Sequence, residues 1–306
     1  MDKNPIPGDS ISKKLHSSRR DQLYKFLLAE GMIRGSVIHA TRMIKEMSTN
    51  HKLGPLEVLV LGQAYIAAGL LGANLKSPEN LTIKIDCKGP IKALTVDGNS
   101  YGEVRGYLSK TPIPPIVGIK APHLRDLFGK GTLKVTKQQS NSSPSSIGIV
   151  ELQYGSLAKD LSYYFAHSEQ IPTAFNLSVA FDDHGKMIGA GGVLLQALPG
   201  ASTSTLTDAE NTLLKLPSIG TVFAAGKDPL NLIKEQFNSH NPTFIGRRRV
   251  TFMCHCSSDR FRSHLSALPK SEIKDLIETG PLPIVTTCLY CNTTFQYEKE
   301  EIETLL

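Results

Sequence analysis

The chain of 306 residues has no uninterrupted apolar run long enough to be read as a secretion signal or a clean membrane span. The one candidate near its start, Phe26-Leu27-Leu28-Ala29, is flanked by Lys25 and Glu30, and a signal peptide needs about 7–15 apolar residues. The longest apolar stretch, Val58 to Leu75, is broken by Gln63, Asn74 and glycines 62, 69 and 72, which favours a buried helix over a membrane span. A cytoplasmic protein with no membrane association is the expectation. Charge of one sign is also scarce. The net charge is +6, and Lys3, Lys13, Lys14, Arg19 and Arg20, against Asp2 and Asp9, place half of it in the first 20 residues. The rest is too balanced for composition to argue for a nucleic-acid partner. Internal repeats are absent, and so is a phosphate-cradling glycine loop: Gly189-Ala-Gly-Gly192 sits inside a strand pattern without the required spacing, and Gly129-Lys-Gly131 is an ordinary turn.

What is present is the composition of a globular protein, with 40% hydrophobic and 20% charged residues. Residues 1–18, with Pro5, Pro7 and Gly8 and no periodicity, are predicted to be a disordered extension. Two strand-like runs between Gln22 and Ala40 flank a turn at Glu30-Gly31. Thr41 is placed to cap a helix reaching Asn50, and Gly54-Pro55 opens another running through Leu71. Leu81, Ile83, Ile85 and Cys87 alternate with Thr82, Lys84, Asp86 and Lys88, so one face of that strand is buried. Further strands are expected at Ile91–Val96 and Glu103–Leu108 around an Asp97-Gly98 turn, near Leu133–Lys137 and Ile147–Gln153, and at Ala174–Asp182 and Lys186–Leu195 around Asp183-His184-Gly185. A helix over Ser156–Ser168 aligns Leu157, Leu161 and Phe165. This order of elements predicts an α+β core over residues 19–200 rather than a doubly wound sheet.

Between residues 201 and 242 the pattern changes to short helical pieces broken by Pro217, Gly220, Gly226 and Pro229. Leu206 and Leu213, with Ala209, form one stripe; Leu230, Ile233 and Phe237 form a second, behind an Asp228 cap. Pieces this short are not stable alone, so they must dock on another surface and can be released from it at modest cost.

Residues 243–306 hold four of the five cysteines, as Cys254-His-Cys256 and Cys288-Leu-Tyr-Cys291. Two close pairs of soft donors supply the tetrahedral set that Zn²⁺ prefers, one ion per chain. Pro283–Thr287 and Thr293–Tyr297 read as strands, placing the second pair in a hairpin knuckle, and a segment this small needs such a staple. Four thiolates leave the metal no open position, so hydrolytic chemistry is not expected. In an extended segment His255 points away from its flanking cysteines and is a bystander. Cys87, on the apolar face of its strand, is an inert core thiol. Oxidation of the four thiolates would remove the donors and eject the metal, turning a redox event into unfolding.

Cys254-His-Cys256-Ser-Ser-Asp-Arg260 and Cys288-Leu-Tyr-Cys291 resemble the zinc-centre motifs of the bacterial thirty-three-kilodalton heat-shock protein family, the redox-regulated holdase chaperones. Gly89-Pro90-Ile91, Gly102-Glu-Val-Arg-Gly-Tyr107, Ser168-Glu-Gln-Ile-Pro-Thr173 and Gly191-Gly-Val-Leu-Leu-Gln-Ala-Leu-Pro-Gly200 extend the resemblance from about residue 20 to 303. It implies an α+β core domain, a metastable helical linker and a C-terminal zinc domain, and a chaperone rather than an enzyme. In such proteins the zinc-bound, reduced form is inactive. Oxidation joins near neighbours, here Cys254 to Cys256 and Cys288 to Cys291; zinc is lost, the zinc domain and linker unfold, and the protein binds unfolding clients, usually as a homodimer. Leu206, Leu213, Leu230, Ile233 and Phe237 would then be the docking residues of the linker.

Two rival readings rest on single features. Arg247-Arg248-Arg249 beside a zinc site would suit a nucleic-acid module, but the five arginines between Thr243 and Arg262 are offset by seven acidic residues between His264 and Leu306. A thiol oxidoreductase would place Cys-x-x-Cys at the start of a helix in a βαβ unit, whereas Cys288 follows a strand and precedes another.

Overall fold

The computed structural model describes residues 21–115, 124–139 and 145–306; the predicted extension, residues 1–18, lies outside them. Its centre is the helix Pro55–Gly72, apolar on every side and therefore buried on every side. That helix has the length and hydropathy of a membrane span, yet 78% of it is enclosed by the protein. Two sheets do the enclosing. The first has the order β10-β1-β2-β9-β8 and the second β11-β5-β4-β3-β6-β7, where the strands are Gln22–Leu28 (β1), Ile33–His39 (β2), Asn80–Cys87 (β3), Ala93–Asn99 (β4), Glu103–Leu108 (β5), Gly131–Gln138 (β6), Ser146–Glu151 (β7), Thr173–Phe181 (β8), Met187–Ala197 (β9), Thr243–Arg249 (β10) and Thr251–Phe252 (β11). Leu81, Ile83 and Ile85 of β3 face the helix together with Leu94, Val96 and Val104, as the period-two pattern requires. Leu157, Leu161 and Phe165 of the helix Leu157–His167 join the same core, and the architecture is the expected mixed α+β one.

The Asp97-Gly98 turn is not formed. Both residues lie inside β4, and the chain reverses at Ser100–Gly102 instead, with Gly102 at φ 86°. A glycine at 98 serves another purpose: a Cβ there would meet the Ala68 carbonyl oxygen at 2.9 Å, so its absence lets helix and sheet approach. Thr41 is likewise not the cap of its helix, Thr41–His51; Asp21, before β1, accepts from the Met43 backbone N–H at 2.6 Å.

The linker covers the outer face of the first sheet. Helices Thr203–Leu214, Ile219–Ala224 and Pro229–Gln236 lay Ala209, Leu213, Leu216, Ile219, Phe223, Leu232, Ile233 and Phe237 on Phe26, Leu28, Ile33, Val37, Val193 and Leu195. Ser202, Ser218 and Asp228 cap the three helices through their side chains. Of the expected docking residues, Leu213, Ile233 and Phe237 are fully buried and Leu206 packs at the margin. Leu230 is only half-buried and lies outside this cluster; Leu232, not in the predicted stripe, takes the inner position. The middle helix was not foreseen. Gly189 of β9 admits it, since a Cβ there would collide with the Gly220 carbonyl oxygen.

Thr243–Arg249, assigned from the sequence to the zinc segment, is an edge strand of the core, pairing antiparallel with β1. After the buried Val250 the chain crosses to the second sheet, where Thr251 and Phe252 pair in parallel with Glu103 and Val104. The remaining segment has helices Ser258–Ser266 and Lys270–Thr279, a hairpin of Ile284–Thr287 (β12) and Thr294–Tyr297 (β13), and a last helical turn, Lys299–Glu303. Its buried apolar residues are Ile273, Ile284, Tyr297 and Ile302.

If Gly98 is required for close approach, Gly98→Val should lower stability by about 1–3 kcal/mol through overpacking. Denaturant unfolding of the reduced protein, followed by far-UV circular dichroism, checks this; an unchanged midpoint would contradict it.

Candidate metal centre

The first cysteine pair hangs directly from the core. The Met253 backbone N–H donates to the Val104 carbonyl at 3.1 Å, so the β11–β5 pairing carries Cys254 to a position beside Arg105. Ser257 then caps the helix Ser258–Ser266, and Arg260 Nη1 donates to the His255 carbonyl at 3.0 Å, closing the turn that holds both cysteines. The second pair sits in the knuckle between β12 and β13. There Cys288 N–H donates to Thr293 O at 2.9 Å and Asn292 N–H to Cys288 O at 2.7 Å, with Asn292 in the left-handed region at φ 59°.

These two segments bring all four sulfurs within 4.8 Å of one another, the only group able to hold a metal among the described residues. Cys254 Sγ lies 3.7 Å from Cys288 Sγ, and Cys256 Sγ 3.3 Å from Cys291 Sγ. A tetrahedral site with bonds of about 2.3 Å has edges of about 3.8 Å, so the donor set fits a thiophilic ion such as Zn²⁺. Cys288 and Cys291 are buried, Cys254 and Cys256 half-buried. Burial and the neighbouring thiols push Cys256 and Cys288 up. Burial acts the same way on Cys291, but hydrogen bonds from Thr293 and from Cys256 and Cys288 hold it down to about 7.

His255 turns away and pairs with Glu103, Nε2 to Oε2 at 2.9 Å. Cys87 is half-buried at the end of β3 against the main core, and burial raises its pKa, as an inert thiol requires. The arginine run is split by the alternation of β10: Arg247 and Arg249 are exposed, while Arg248 Nη1 donates to the Gly72 carbonyl at 3.1 Å. Cys288 and Cys291 lie in a strand–knuckle–strand, not at a helix start, so the oxidoreductase reading loses its structural basis.

Sequence reasoning passed over the groups that surround this cluster. His51 Nε2 lies 3.0 Å from the Tyr290 carbonyl oxygen, Asn292 Nδ2 donates to the Asn50 carbonyl at 3.0 Å, and the Tyr290 ring meets Tyr107 edge-on at 5.1 Å. The signal was available for Arg105 and Tyr107, both within the Gly102–Tyr107 motif.

An α+β core carrying a four-cysteine cluster able to hold a metal at a sheet edge, with a helical strap over the other sheet, defines the class. The sequence profile of the Hsp33 protein family matches residues 21–298. The 33 kDa chaperonins of Lactiplantibacillus plantarum and Levilactobacillus brevis are 33% and 32% identical to this chain, each over 94% of it and 97% of their own length. The crystal structure of the 33 kDa chaperonin of Thermotoga maritima superposes with a TM-score of 0.84 at 27% identity, covering 94% of this chain and 98% of that one. The chain belongs to the Hsp33 family of chaperones.

Reduced protein loaded with Co²⁺ in place of the native metal should show the intense visible bands of tetrahedral thiolate coordination at one ion per chain. Cys288→Ser should abolish them; bands that survive this substitution would place the metal elsewhere.

Proposed function

We propose that this chain is a redox-regulated holdase whose Zn²⁺, held by Cys254, Cys256, Cys288 and Cys291, keeps it inactive while reduced. The carrying observation is the four-thiol cluster itself, which joins a strand of the core to a segment with only four buried apolar residues of its own. Structural zinc contributes on the order of 10 kcal/mol, more than so small a core can replace. On oxidation each thiolate pair, Cys254 with Cys256 and Cys288 with Cys291, loses two electrons as its S–S bond forms. One equivalent of hydrogen peroxide per bond is reduced to water, and the donors are gone. The zinc segment and the linker, residues 201–242, then come free and expose the outer face of the first sheet to unfolding client proteins. The active form is a homodimer working in the cytoplasm, and it acts by binding rather than by turnover, because four protein thiolates leave the metal no site for a reactant.

One assay tests this on the intact protein: zinc release and suppression of a thermally unfolding client's aggregation, before and after peroxide. Zinc loss and holdase activity should rise together. Ile233→Asp, which buries a carboxylate beneath the linker at a cost of several kcal/mol, should hold clients even when reduced and zinc-loaded. Full activity of the reduced wild type, or an Ile233→Asp protein that still requires peroxide, would contradict the proposal.

A further inference from the structure

Arg105 projects from β5 directly opposite Asp97 of β4, and its Nε lies 3.3 Å from Asp97 Oδ2. Asp97 is fixed in turn by Thr82 Oγ1, which donates to its other oxygen at 2.7 Å. A cross-strand ion pair of this kind is common on a sheet and needs no further explanation. The guanidinium, however, continues past its partner. Its central carbon stands 4.2 Å from the centroid of the Tyr290 ring, and the hydrogen bond from Met253 N–H to the Val104 carbonyl at 3.1 Å brings the neighbouring Cys254 to the same strand. Tyr290 also meets the Tyr107 ring of the same strand edge-on at 5.1 Å. It is the residue between Leu289 and Cys291, inside the knuckle of the second pair. One side chain of the core thus stacks on the aromatic ring embedded in the second pair, from the strand to which the first pair is attached.

We propose that Arg105 is a positioning residue of the metal centre, holding Cys254 and the Tyr290 knuckle in register so that the core sheet governs how firmly the metal is retained. The inference rests on the reading of the four cysteines as a zinc site. Its physical basis is twofold. Four thiolates around a divalent ion carry a net charge of −2, and a fixed cation beside Cys254 offsets part of it in a half-buried setting. A planar guanidinium can also stack on a ring and donate in its own plane at once, which the point charge of a lysine cannot. Metal retention is therefore set partly by a residue that lies far from every ligand in sequence, on a strand of the core sheet.

The full chain, reduced and zinc-loaded, is mixed with an excess of a chromogenic chelator, and zinc transfer is followed for the wild type and for Arg105→Gln. The variant should release zinc about tenfold faster or more, the usual effect of removing a group that supports metal ligands. Its far-UV circular dichroism should match the wild type. In the Co²⁺-loaded chain the same substitution should shift the thiolate-to-metal charge-transfer band, a signature that loss of a merely structural ion pair would leave in place. If Arg105→Gln does not fold, Arg105→Lys replaces it. That variant keeps the charge and loses the flat stack on Tyr290, and it too should release zinc faster than the wild type. A folded variant with the wild-type release rate and an unmoved band would overturn the role of Arg105 alone. A wild-type chain without zinc would overturn the underlying zinc reading, and this inference with it.

Discussion

Four sulfurs gathered within 4.8 Å are an unfavourable arrangement for thiols alone, because they hydrogen-bond weakly and their ionised forms repel one another. Two of them are carried by a stub of strand attached to the core and two by a hairpin in a segment with a small core of its own. Among the described residues, the other side-chain contacts across that junction are those of His51 with the Tyr290 carbonyl and of Asn292 with the Asn50 carbonyl, Glu103 with His255, and the Arg105, Tyr107 and Tyr290 group. Partly exposed hydrogen bonds and ion pairs are each worth about 1 kcal/mol or less. In the proposed reading a metal bound by the four sulfurs is the strongest link across the junction, and its loss would release the C-terminal segment from the sheet.

The chain path ties this junction to the linker. Val250 joins β10 to β11 without a break, so the strand that positions Cys254 is continuous with the strand at the edge of the first sheet. Phe244 of β10 packs beside Phe26, its ring centroid 6.0 Å away, and Phe26 lies against Phe237 at 6.4 Å on the buried face of the linker. The three linker helices are short, capped and held at both ends by strands of one sheet. In the proposed switch their docking would be the two-state element, and β10 the segment through which the metal centre would bias it.

Much of this was legible in the sequence because it depends on short-range pattern. The alternation of Leu81, Ile83 and Ile85 fixes a strand face, and the close spacing of each cysteine pair fixes a donor set. What escaped depends on contacts distant in sequence. Asp97-Gly98 has the chemistry of a turn, but Gly98 is needed under Ala68 of a helix thirty residues earlier. The arginine run hid an edge strand, because the exposed outer side of β10 leaves it free to carry charge. Leu230 and Leu232 are equally plausible by periodicity, and the packing of the helix on Val37 and Phe26 chose Leu232. Cys254 was read as a candidate ligand, yet its attachment to β5 through a two-residue parallel pairing left no mark that a local pattern could show.

Hydrogen exchange on the zinc-loaded and zinc-stripped reduced chain tests the central claim most directly, since it resolves each segment without requiring a client or an oxidant. The account predicts that metal removal exposes residues 257–306 together with β11, β10 and the linker helices, while the Pro55–Gly72 helix and strands β3 to β6 remain protected. Loss of protection confined to residues 257–306, with β10 and the linker unchanged, would contradict it.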